Sequence, residues 1–133
     1  MKVDALIDYL HEIAPNKFQE DYDNSGLLIG NSQDDIKGVL VSLDVTEAVI
    51  DEAISLGANV IVSHHPIIFG GLTRIIGRNY VERIAQKAIK NDINLFAIHT
   101  NLDNVYTNGV NTRIAERLQL KNVEILYPKE SLI

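Results

Sequence analysis

The sequence predicts an α/β fold: a largely parallel or mixed sheet with helices on both faces, in three layers. Three observations predict it. Short apolar runs rich in Val, Ile and Leu alternate with amphipathic segments of roughly 10–12 residues, the rhythm of βαβ crossovers. The runs "GVLVSLD", "NVIVS" and "INLFAI" are continuous rather than alternating, as strands buried on both faces are. Capping residues punctuate the helical segments, with Thr46 and Asn79 before two of them and Gly57 after the first.

Taken in order, Val3, Leu6, Ile7, Leu10 and Ile13 follow the i, i+3, i+4, i+7 spacing of a helix that stops near Pro15. His11 lies among the polar positions of that helix and reads as an exposed bystander. "YDNSGLLIGN" carries turn chemistry in Asn24, Ser25 and Gly26 before a short apolar run. "GVLVSLD" is the first clear strand, and Thr46 caps the helix "EAVIDEAISL". "NVIVS" is the second strand. Asn79 caps "YVERIAQKAIKN", whose Val81, Ile84, Ala85, Ala88 and Ile89 share a face. "INLFAI" is the third strand. A polar loop, "HTNLDNVYTNG", leads through an Asn108-Gly109 turn into the helix "VNTRIAERLQL", and "VEIL" is a fourth short strand candidate.

A chain of 133 residues matches one domain, 1–133, with one core. No apolar run approaches the roughly 20 residues that cross a bilayer. "MKVDALIDYLHEI" mixes acidic with apolar residues, unlike a signal peptide, so the expected location is cytoplasmic, with no membrane partner. A net charge of −6 disfavours nucleic acid as a partner, because binding to it is driven by Lys and Arg neutralising phosphates. The Arg74 and Arg78 pair reads as a solvated loop face. With no cysteine there is no disulfide, no thiolate nucleophile and no Cys-ligated zinc, so any metal is held by imidazole and carboxylate.

In open parallel sheets, ligands bind beyond the carboxyl ends of the strands. His64 and His65 directly follow "NVIVS", while His99 and Asp103 follow "INLFAI". If those strands are neighbours, about 4.8 Å apart, the four groups share one small region. Successive side chains of extended backbone point to opposite faces, and Pro66 biases His65 toward that backbone. The two imidazoles are therefore expected to diverge, each serving one of two ions, with Asp103 as the carboxylate between them. His99 could ligate metal, hydrogen-bond its loop or exchange protons, and the acid/base or supporting role is preferred. Asp44, at the end of "SLD", reads first as an electrostatic cap of the following helix. The nucleophile elbow, the phosphate loop and the helical H-E-x-x-H pair are absent. Ser63 beside His64 implies no base–orienter geometry.

"DNSGLLIG", "SLDVT", "VSHHPIIF" and "HTNLDNVYTNGVN", in this order, resemble the Nif-three-like family, also called GTP cyclohydrolase 1 type 2 proteins. The resemblance spans nearly the whole chain. It implies a dinuclear centre of divalent ions (zinc, iron or manganese) in an α/β domain, with His64, His65 and Asp103 matching the family's N-terminal ligands. It also implies self-association into a homohexamer and metal-dependent hydrolysis, with a nucleotide such as GTP as substrate. Full-length members of the family supply a further histidine and glutamate near their C-terminus, and no histidine follows His99 here. "VEILYPKESLI" resembles the approach to an inserted domain, so the chain is expected to be the N-terminal half of a longer dinuclear-metal protein. The rival expectation is a noncatalytic metal-binding or oligomerising scaffold.

Overall fold

The two central strands, β3 (Val60–Ser63) and β4 (Asn94–Ala97), are buried at every residue in the computed structural model, which describes residues 1–127. They are flanked by β2 (Val39–Ser42) and β1 (Gly26–Ile29) in the order β1-β4-β3-β2. β2, β3 and β4 are parallel, and β1 runs antiparallel to β4, so the sheet is mixed. The register lines up Ser42, Ser63, Ala97 and Gly26 along one rim.

Alternation along the strands feeds two cores. Ile61 and Leu95 join Ile50, Ala53, Ile84 and Ala88 from α2 (Glu47–Ser55) and α3 (Tyr80–Lys90) on one face. Val60, Val62 and Phe96 meet Val3, Leu6, Ile7 and Leu10 of α1 (Val3–Ile13) on the other. This is the expected three-layer arrangement. Thr46 accepts the Val49 N–H at 3.2 Å and Asn79 the Glu82 N–H at 2.9 Å, satisfying the orphan donors at those helix starts. Gly57 closes α2 at φ +70°, where a Cβ would be strained.

Three local expectations are corrected. "HTNLDNVYTNG" is not loop throughout, because one helical turn, α4 (Thr100–Asp103), begins directly after His99 and precedes α5 (Val110–Arg117). "VEIL" forms no strand among the described residues. A strand exists only with a ladder partner, and here the Val123 carbonyl accepts instead from the Tyr106 hydroxyl at 3.1 Å, while Leu126 is fully exposed. His11 is half-buried, its ring 5.9 Å from that of Phe96, while Ile13 is 43% exposed. The buried stripe of α1 is thus rotated toward His11 relative to the apolar spacing. The stretch from Pro128 onward in "YPKESLI" lies outside the described residues.

β2 is an edge strand that α1 does not cover. Val39, Val41 and Leu43 lie exposed along it, Val41 at 76%. The chain contains no helix long and apolar enough to cross a membrane among the described residues.

Candidate metal centre

At the Ser42–Ser63–Ala97–Gly26 rim, each strand hands its next residues to the same small space. β3 ends at Ser63 and the chain bends at His64 and His65. The bend is held by the His64 N–H on the Ser42 carbonyl (3.2 Å), the His65 N–H on the Leu43 carbonyl (3.0 Å) and the Ser63 hydroxyl on the His65 carbonyl (2.9 Å). Bending cancels the strict alternation of extended backbone. The two imidazoles therefore do not diverge: their centroids stand 4.9 Å apart. His99 joins them from the end of β4, 5.2 Å from the His64 ring and 5.5 Å from that of His65. One ring nitrogen from each histidine lies within 4.8 Å of the others.

Each Nδ1 faces an oxygen that can only accept. His64 Nδ1 is 2.9 Å from the Ile98 carbonyl, His65 Nδ1 is 2.7 Å from Asp44 Oδ1, and His99 Nδ1 is 2.8 Å from Asp23 Oδ1. A neutral imidazole that donates through Nδ1 keeps its lone pair on Nε2, the arrangement that orients metal-ligating histidines. His64 Nε2 stands 3.5 Å from Asp103 Oδ1, which α4 brings back over the rim. That is too long for a good hydrogen bond. It lies within the separation of about 3.3–3.6 Å that two ligands of one tetrahedral ion keep at metal–ligand distances of about 2.0–2.2 Å. The donor set thus fits a divalent cation.

All four groups singled out in the sequence, His64, His65, His99 and Asp103, meet here. Asp44, expected as an electrostatic cap of α2, instead holds His65 at 2.7 Å, while the N-cap of α2 is Thr46. Sequence reasoning did not find Asp23, because strand direction cannot be read from an apolar run. β1 is antiparallel to its neighbour, so the residues before it, not those after it, lie at the rim where β4 ends. The Asp23 side chain is 0% exposed and receives the Asn24 N–H, the Ser25 hydroxyl, the Thr100 N–H and the Thr100 hydroxyl besides His99. Burial alone would raise its pKa, but the hydrogen bonds from Thr100, His99, Asn24 and Ser25 together outweigh it and hold the carboxyl well below its ordinary range. The sequence signals at Asp23 are its place in an Asp-Asn-Ser-Gly turn and at the head of the family-like motif "DNSGLLIG", neither of which gives it a partner.

Exposed aromatic and apolar groups border the cluster. The Phe69 ring is 6.2 Å from that of His99 and 6.4 Å from that of Tyr22. The Asn24 side-chain amide donates to the Ile68 carbonyl at 2.6 Å, fastening the turn before β1 to the loop after β3.

The family model described as Duf34/NIF3 (NGG1p interacting factor 3) matches residues 1–132. The chain belongs to this family. Among curated relatives, a GTP cyclohydrolase 1 type 2 homolog of Staphylococcus epidermidis is 44% identical over 131 residues, covering 98% of this chain and 35% of the relative. Among solved structures, a Bacillus cereus protein related to NIF3 superimposes with a TM-score of 0.89 at 43% identity, over 97% of this chain and 35% of that one. Reduced HcgD from Methanocaldococcus jannaschii gives a TM-score of 0.86 at 32% identity, over 96% and 50% respectively. This Duf34/NIF3 chain therefore spans about a third of the length of the curated relatives it matches.

Proposed function

We propose that this chain is the metal-binding portion of a metal-dependent hydrolase of the Duf34/NIF3 family. One observation carries the reading: three imidazoles converge at one rim, and each is held through Nδ1 by an oxygen acceptor. Imidazoles used only to tie the loops together would not need a ring nitrogen from each gathered in one place.

In this reading there are two ions. His64 and Asp103 offer Nε2 and Oδ1 to one, and His65 offers Nε2 to the other. The further ligands come from a histidine and a glutamate outside these 133 residues. Bound divalent ions supply Lewis acidity and lower the pKa of water toward about 7. His99, held by Asp23 through Nδ1, takes and returns a proton at Nε2. Asp44 keeps His65 in the orientation that binding requires. Zinc, iron and manganese all suit this donor set. The name of the staphylococcal relative supports a nucleotide as substrate, and the resemblance of the motifs alone suggests a homohexamer as the working assembly.

The test is to titrate the 133-residue chain with Zn(II), Mn(II) and, anaerobically, Fe(II), and to assay nucleotide hydrolysis in parallel. Binding that is lost in both His64→Ala and His65→Ala supports the metal centre. Absence of binding at millimolar metal overturns it for this chain. The uncovered apolar side of β2 favours a second reading, a noncatalytic metal-dependent scaffold, for which metal would bind and alter self-association with no turnover.

A further inference from the structure

The structure assigns Asp23 as the positioning residue of the site: it holds His99 in the tautomer that carries its proton on Nδ1, so that Nε2 keeps its lone pair in a ring that stands beside those of His64 and His65. The inference rests on the metal-site reading for its purpose, but its geometry stands without metal.

Both Asp23 oxygens are committed. Oδ1 receives the Asn24 N–H at 2.7 Å and His99 Nδ1 at 2.8 Å, while Oδ2 receives the Ser25 hydroxyl at 2.9 Å, the Thr100 N–H at 3.0 Å and the Thr100 hydroxyl. Two of these donors are backbone N–H groups, one on each oxygen, and neither can reverse its role. A proton on either oxygen would turn a carboxylate acceptor of several hydrogen bonds into a weaker one, so the proton between Asp23 and the ring belongs to Nδ1. The His99 N–H is bound by the Ser25 hydroxyl and by Asn101 Oδ1, which fixes the backbone from which the ring projects. Helix-capping accounts for the Thr100 contacts but not for the ring contact. A carboxylate needed only to start α4 could leave His99 free to take either tautomer.

An amide at this position discriminates between the two roles. In Asp23→Asn the carboxamide must turn its NH2 toward one of the two fixed N–H groups. Turned toward His99, it donates to the ring and moves the ring proton to Nε2, which blocks the lone pair.

The experiment is long-range ¹H–¹⁵N correlation of the imidazole rings in the metal-free chain, above the ordinary imidazole pKa of about 6.5. The wild type shows His99 as a single Nδ1–H tautomer, and a dominant Nε2–H form overturns the proposal with no variant needed. In Asp23→Asn the Nε2–H form becomes populated. In Thr100→Val, which removes a hydroxyl donor from Asp23 without touching the ring, the tautomer stays as in wild type. With Co(II) as the probe, affinity stays within a few-fold of wild type in both variants, because the ligands are His64, His65 and Asp103, and a loss confined to Asp23→Asn overturns the division of roles between His99 and those ligands. A His99 tautomer in Asp23→Asn no different from that in Thr100→Val, at matched fraction folded, shows Asp23 to be a structural latch and overturns the proposal. If the wild-type chain fails to bind Co(II), the metal reading fails, and the tautomer measurements still decide the role of Asp23.

Discussion

The two rims of the sheet are both polar, yet they do opposite things with their hydrogen bonds. At the rim where β3 and β4 begin, Asn94 is fully buried. Its Oδ1 accepts the Asn31 N–H at 2.7 Å, and its Nδ2 donates to Asp34 Oδ2 at 3.1 Å and the Asn59 carbonyl at 3.2 Å. Asn59 accepts the Lys37 N–H at 2.8 Å and donates to the Asp35 carbonyl at 2.9 Å. A Cβ on Gly30 would lie 2.0 Å from Asn94 Oδ1, so even the empty side of that glycine is filled. At the other rim, each histidine has one nitrogen secured, and one nitrogen from each is gathered toward the rest. Polarity marks both ends of the strands, but only incomplete satisfaction marks a place where chemistry can happen, because an amide with every atom paired has nothing to offer a ligand.

That contrast can be broken from either side. The largest effect is expected at the open rim: His64→Ala should weaken divalent-metal affinity beyond the roughly 10–100-fold range of orienting partners. Its unfolding free energy should stay within about 1 kcal/mol of wild type, since the side chain is not part of either core. Calorimetric titration and urea melts measure the two. Asn94→Ala should show the reverse, losing about 3 kcal/mol of stability because it orphans buried partners, while the folded fraction binds metal as before. A fall in metal affinity without destabilisation would erase the distinction between the rims. Asp44→Asn should be milder, about a 10-fold loss of metal affinity, because the His65–Asp44 pair is about half exposed to water.

The smallest effect is a pH-dependent one at the start of α3. Glu82 is buried at the start of α3 and accepts the Arg78 N–H at 3.0 Å and the Ile76 N–H at 3.1 Å. The Arg78 hydrogen bond comes first among the causes that hold its carboxyl below the ordinary value, and it acts with the Ile76 bond against the opposing effect of burial. A lowered folded pKa means stabilisation that is present above the unfolded carboxylate value, near 4.3, and lost as pH falls through the folded value. Local opening that frees the Ile76 and Arg78 amides should therefore rise at acid pH, as read by native-state hydrogen exchange corrected for intrinsic rates. The Glu82→Gln variant should lose that pH dependence.

Much of this was legible in the residues because local chemistry dictates it. Thr46, Asn79 and Gly57 mark helix ends through bonds that span only a few residues, and continuous runs such as "NVIVS" mark strands buried on both faces. Placing polar residues directly after such strands was enough to bring His64, His65, His99 and Asp103 to one rim. What escaped depends on partners distant in sequence. The bend at His64–His65 is held by carbonyls of Ser42 and Leu43 and overrides the alternation that extended backbone implies. The hold of Asp44 on His65 and the whole role of Asp23 require knowing which strands are neighbours and which way each runs. "VEIL" has the composition of a strand but finds no ladder, and composition says nothing about whether an edge is within reach.

The reversed direction of β1 also has a consequence for the order of assembly. Asp23 and His99 are 76 residues apart, and they meet only once the first strand has docked beside the last. Contacts of such separation come late in folding, because the loop entropy must be overcome before the contact offers any return. A partly folded chain can hold β2 and β3 together and present His64 and His65, but its His99 remains unoriented. Competence at the rim therefore arrives with completion of the sheet, and only a finished molecule presents all three imidazoles oriented together.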